Sequence, residues 1–87
     1  LTLFIALLVQ ISFAQERTVS GTVTDNKGIP LPGVNVLVKG STSGTQTDFE
    51  GKYSIKATPS ATLVFNFVGM KTQEILASSE TVNVKLL

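Results

Sequence analysis

Six carboxylates and seven basic side chains make up the charged groups of this 87-residue chain, which has no histidine and no cysteine. Without imidazole or thiol, the usual general bases, the sulfur nucleophiles and nearly all zinc sites drop out. Three arrangements of chemically able residues remain. Ser54 and Lys56 have the types of a Ser–Lys nucleophile and base. They alternate in a strand-like stretch, however, on its outward and solvated face. Asp48 and Glu50 are two carboxylates that can pair for acid–base work or join Asp25 around calcium. Hard-cation loops take about six to eight oxygen ligands, more than these segments offer. Turn chemistry accounts for both aspartates, since an Asp side chain bonds backbone amides two residues on. The glycines lack the spacing of a phosphate loop, and no lysine stands where one would grip a phosphate. The residues therefore assign no catalytic, cofactor-binding or metal-ligating site. Phe49, on a turn between Asp48 and Gly51, is the aromatic expected at the surface. It either contacts a partner or folds back over the end of the domain.

The elements that must carry these residues read as short strands separated by glycine and proline turns. Arg17–Asp25 alternates Val19, Gly21 and Val23 with Thr18, Ser20, Thr22 and Thr24, a period-two pattern with one apolar face. Asn26-Lys27-Gly28 supplies a tight turn, and Pro32-Gly33 a type II turn pair that launches Val34–Lys39. Thr45–Thr47 is a short edge-like segment, and Lys52–Ala57 places Tyr53 and Ile55 on one face. Thr62–Phe67 turns Leu63, Phe65 and Phe67 to one side; Lys71–Ile75 is a polar strand, and Val82–Leu86 alternates again. About seven short strands with such turns predict an antiparallel sandwich. Its expected core is Val19, Val23, Val34, Val36, Val38, Tyr53, Ile55, Leu63, Phe65, Phe67, Val82, Val84 and Leu86. Gly21 shares that inner face, where a missing side chain suits close approach of the opposing sheet.

Taken in order, GTVTD (Gly21–Asp25), PLPGVNVLVKG (Pro30–Gly40), GTQTD (Gly44–Asp48) and GKYSI (Gly51–Ile55) resemble the carboxypeptidase-regulatory-like β-sandwich domain. The resemblance covers nearly all of Thr18–Leu87. It implies an all-β fold, a small seven-stranded antiparallel Greek-key sandwich of the transthyretin (prealbumin) type. That module is best known as the N-terminal extension of SusC/RagA-type TonB-dependent outer-membrane receptors.

Leu1–Ile11 is uncharged and almost wholly apolar, and Ser12-Phe13-Ala14 puts small residues before a cut after Ala14. Residues 1–14 are thus expected to be a signal peptide lacking its basic start, and 15–87 the sandwich domain of an exported protein. The run is shorter than the ~20 apolar residues of a membrane-spanning helix. The net charge of +1 and its even spread argue against a nucleic-acid or anionic-membrane surface.

Resemblance and residues together imply a non-catalytic periplasmic accessory domain of a receptor for nutrients such as glycans, the chain being a fragment. Expected partners are the rest of the outer-membrane barrel, its energy-transducing protein or a surface lipoprotein, with no cofactor and the isolated domain a monomer. Contact is expected through Phe49 and the polar edge Lys71, Thr72, Gln73 and Glu74. Two alternatives are the accessory sandwich of a secreted metallocarboxypeptidase and a free-standing exported binding module.

Overall fold

Each alternating stretch becomes a strand in the computed structural model, which describes residues 16–87. The strands are β1 (Arg17–Thr24), β2 (Asn35–Val38), β3 (Gly44–Gln46), β4 (Lys52–Ala57), β5 (Thr62–Asn66), β6 (Gln73–Leu76) and β7 (Val84–Lys85). They form two sheets with strand orders β4-β1-β7 and β3-β2-β5-β6. Two links, β2–β3 and β5–β6, are hairpins within one sheet, and the other connections cross between sheets. The expected signal peptide lies outside the described residues.

All-β sandwich architecture with seven strands is what the alternation called for. One pair departs from the antiparallel pattern: β7 runs parallel to β1, with Val23 opposite Val84 and Thr24 opposite Lys85. Alternation reveals which face of a strand is buried, but not the direction of its neighbour.

The inner faces meet in a core of Val19, Val23, Val34, Val36, Tyr53, Ile55, Leu63, Phe65, Val82, Val84 and Leu86, joined by Ala57 and Ala77. Burying each of the larger side chains contributes ~1.5–3 kcal/mol. The Tyr53 and Phe65 rings meet edge to face, with centroids 5.4 Å apart, an arrangement favoured by the ring quadrupoles. Val38 and Phe67, expected inside, are only half-buried and pack against the core's margin. Both stand at strand ends, Val38 as the last residue of β2 and Phe67 just past β5, where the cover of the facing sheet thins.

Gly21 is packed against backbone, though not that of the opposing sheet. A Cβ there would lie 1.9 Å from the carbonyl oxygen of Val82, in the segment leading into β7. That segment runs alongside β1: Ser20 N donates to Glu80 O, and Val82 N donates to Ser20 O. At the next step the ladder changes. Val82 O accepts instead from the buried Tyr53 hydroxyl at 2.6 Å. The Thr22 amide takes Asn83 Oδ1 at 2.9 Å in its place. Tyr53 stands opposite Gly21 in the β1–β4 register, so the absent side chain makes room for this bond. The broken ladder is why β7 begins at Val84 rather than Val82.

Candidate functional site

Register fixes where the candidate residues stand. Asn35 lies opposite both Gln46 and Asn66, and Phe65 lies opposite Gln73. In the other sheet Thr22 faces Lys52, and Thr24 faces Lys85. The segments just beyond these residues therefore share one end of the sandwich. They are the loop from Asp25 to Gly33, the β3–β4 turn, the β5–β6 turn and the chain after β7. Phe49 and Lys71–Gln73, far apart in sequence, come to this same end. They occupy its opposite sides: β3 and β6 are the two edges of the four-stranded sheet, roughly 14 Å apart at the usual strand spacing.

The turns there are held by their own polar groups. Asp48 Oδ1 accepts from Glu50 N and Lys52 N, each at 2.9 Å, and Gly51 N returns to Asp48 O. Asp25 Oδ1 accepts from Lys27 N at 2.8 Å and Ile29 N at 2.9 Å. The amides of Ile29 and Lys27 hold the Asp25 carboxyl below its ordinary pKa, because they bind its charged form. Both aspartates are thus engaged in turn-building. Among the described residues no three His, Cys, Asp or Glu side chains gather as metal ligands.

Thr47 ties the turns together from inside. Its hydroxyl accepts from Val34 N at 2.9 Å and donates to Leu31 O at 2.6 Å. Its backbone pairs with Val34 O and Gly33 N. Gly51, at φ 75°, lets Val23 O and Leu31 N approach to 2.6 and 3.1 Å of where a Cβ would be. Sequence reasoning placed Thr47 in an edge segment and missed its role as the buried polar residue of this end.

On that rigid base Phe49 stands 94% exposed. It does not fold back over the sandwich. It borders an open cleft of about 430 Å³ shared with Pro32, Gly33, Thr47 and Asp48. The polar edge is more engaged within the domain. Lys71 N donates to Leu87 O, Gln73 Nε2 donates to Lys85 O at 2.6 Å, and Glu74 pairs with Lys39 at 2.9 Å. The first two bonds tie this segment to β7 and the chain just past it, and the third reaches across β5 to the residue after β2. The Lys71 and Thr72 side chains face solvent. Ser54 and Lys56 are exposed on the outer face of β4, with Glu16 and residues 43–45 around the shallow groove beside them. Nothing desolvates them as a nucleophile and base require. Ile29, Val68 and Leu87 are also exposed at this end; in the sequence each is an apolar residue outside the alternating stretches, with no local signal that marks it.

Fold and site define a small sandwich module that offers surfaces on its turns, with no assembled reaction centre among the described residues. The sequence model of the CarboxypepD_reg-like domain matches residues 19–87, and the chain belongs to that family. It is 48% identical over 83 residues to TonB-dependent receptor P3 of Formosa agariphila, covering 93% of this chain and 8% of that protein. To TonB-dependent receptor SusC of Bacteroides thetaiotaomicron it is 42% identical over 69 residues, 79% of this chain and 7% of that one. The chain thus spans less than a tenth of these relatives' length. Among solved structures, a chain of a type II cohesin–X-dockerin complex from Acetivibrio cellulolyticus superposes with a TM-score of 0.65. It is 23% identical, covering 79% of this chain and 56% of that one. This likeness concerns the fold alone.

Proposed function

We propose that this domain is the non-catalytic, periplasmic N-terminal accessory domain of a TonB-dependent outer-membrane receptor that takes up nutrients such as glycans. One observation carries the reading: 93% of the chain aligns at 48% identity with a protein named as a TonB-dependent receptor. The turn-bound aspartates and the solvated Ser54 and Lys56 support a role by contact rather than by chemistry. Contact runs through Phe49 and the Lys71–Glu74 edge to the rest of the receptor, its energy-transducing partner or a surface lipoprotein. A free-standing glycan binder is disfavoured by the aromatics. Tyr53 and Phe65 are buried and Phe67 is half-buried, which leaves Phe49 without a second exposed ring among the described residues.

The test is a receptor gene carrying this sequence, with residues 16–87 deleted in frame and the leader kept. Receptor levels in the outer membrane should stay normal, while growth on the polymeric nutrient falls. Unchanged uptake at equal receptor level would refute the accessory role.

A further inference from the structure

We infer that the end of the sandwich bearing Phe49 is a docking face for the body of the same receptor polypeptide; this rests on the receptor reading above. Ile29, Leu37, Phe49, Val68, Leu76 and Leu87 are the large apolar side chains exposed among the described residues. Leu37 lies within β2, and Leu76 ends β6 at the far end of the sandwich. The other four converge on one end: Ile29 from the loop after β1, Phe49 from the β3–β4 turn, Val68 from the β5–β6 turn, and Leu87 just past β7.

Folding gains little from these groups. Phe49 is 94% and Val68 86% exposed, at turn positions that polar or small residues ordinarily fill. The backbone beneath them is fixed without their help. Asp48 Oδ1 holds the Phe49 turn, and Met70 N bonded to Phe67 O, with Gly69 at φ 80°, holds the Val68 turn. Apolar side chains displayed on turns already set in place have the form of a pre-organised contact. The open cleft between Phe49 and the Pro32-Gly33 turn would receive an apolar side chain from the occupant.

Covalent connection identifies that occupant. In the relatives this domain is 7–8% of a much longer chain, so a large body is joined to it. Any polypeptide continuing from Leu87 departs from this same face, because β7 runs toward it. A short tether supplies an effective concentration in the millimolar range. Four apolar anchors then suffice where a free partner would need an interface of about 1,200 Å² or more. Lys27, Glu50, Lys52 and Lys71 surround the face as exposed groups of both signs, the mixed rim of an intramolecular domain contact rather than a field for a polyanion.

The experiment uses the full-length receptor, freed of other cysteines and purified in detergent. Single cysteines are placed at the rim (Glu50→Cys, Lys71→Cys) and at the opposite end (Ser60→Cys, Ser79→Cys), and each is timed against a maleimide. Rim positions should react at least about tenfold more slowly than the opposite end, the ratio one lost anchor can cancel. Adding Phe49→Ser and Val68→Ser should bring the rim to the opposite-end rate. A cysteine placed by Ala77→Cys, at a position buried in the core, should stay unreactive in that background, which shows the domain still folded. Equal rates at both ends of the intact receptor overturn the proposal. So does slowing that appears only at high receptor concentration, which assigns the face to a second copy. Slowing found only in lipid bilayers assigns it to the membrane and overturns the proposal too. Uptake by the deletion of residues 16–87 separates this proposal from the reading it rests on. Equal rates with lost uptake remove the docking face and keep the accessory role; a protected rim with normal uptake does the reverse.

Discussion

Replacing Gly21 by alanine tests the least expected piece of packing in the domain. The new methyl would fall 1.9 Å from Val82 O and 2.6 Å from Val82 C, so the Val82 backbone has to leave the inner face. Forced overpacking of this kind costs about 1–3 kcal/mol. Displacement also takes the acceptor from the buried Tyr53 hydroxyl, and an unpaired buried polar group costs a further ~1–3 kcal/mol. A loss of roughly 2–6 kcal/mol stands against a total of about 4–11 kcal/mol for the 72 described residues. Tyr53→Phe alone, which leaves Val82 O without its donor, should cost ~1–3 kcal/mol. The two losses share one bond. The double variant should therefore be about as stable as Gly21→Ala alone, with a coupling equal to the Tyr53→Phe cost, roughly 1–3 kcal/mol. Urea unfolding of residues 16–87 followed by far-UV circular dichroism is the assay. The chain has no tryptophan and a single tyrosine, so fluorescence would vanish with Tyr53→Phe. Additivity within about 0.5 kcal/mol, or a Gly21→Ala cost below ~1 kcal/mol, would refute the account.

Burial pushes the Tyr53 hydroxyl up to about 12 from 10.0. A folded-state pKa raised above the unfolded one gives stability that is complete below pH 10 and is lost as pH climbs through 12. Urea midpoints between pH 9 and 12 should record a decline of roughly 2–3 kcal/mol, absent in Tyr53→Phe; parallel curves would contradict this. Two glycines of like backbone should respond differently to alanine. Gly28 at φ 85° has open space around it and should lose ~1–2 kcal/mol, the left-handed penalty alone. Gly51 at φ 75° would also drive a Cβ to 2.6 Å from Val23 O and should lose at least ~3 kcal/mol, measured in the same urea series. Thr47→Val removes the acceptor for Val34 N and the donor for Leu31 O. It should cost ~2–4 kcal/mol, where an exposed Thr72→Val should stay within ~0.5 kcal/mol.

How much of this was legible in the sequence follows the range of the interactions. Lys52–Ala57 could be read at its observed bounds because its period-two pattern meets one buried face along its whole length. The polar strand was expected from Lys71 and begins at Gln73, since Lys71 N is taken by Leu87 O across the sandwich. No local pattern encodes that bond. The parallel β1–β7 pair joins residues about sixty positions apart, and alternation does not record a partner's direction. Ala57 and Ala77 entered the core unread because a methyl group barely marks a face. Gly21 was legible as a demand for space, though what fills that space depends on Tyr53 and Val82 arriving from elsewhere. The candidate site shows the same divide. Phe49 could be picked out as an aromatic on a turn, whereas Ile29, Val68 and Leu87 become a set only once topology brings three connections and a strand end together.

That topology separates what holds the fold from what is displayed. Side chains that fix the Phe49 end are polar and short: Thr47 from within, with Asp25 and Asp48 bonding amides of their own turns. None of these bonds involves the side chain of Ile29, Phe49 or Val68. The displayed residues can therefore change without loosening the turns that carry them, and the turns keep their geometry whatever they carry. Stability and contact are consequently written in different residues of one end. A substitution at Asp25 or Gly51 should lower binding only through unfolding, and one at Phe49 or Val68 should alter contact while the unfolding midpoint stays in place. Measuring both quantities on both sets of variants distinguishes a surface kept for a partner from apolar groups that merely happen to be exposed.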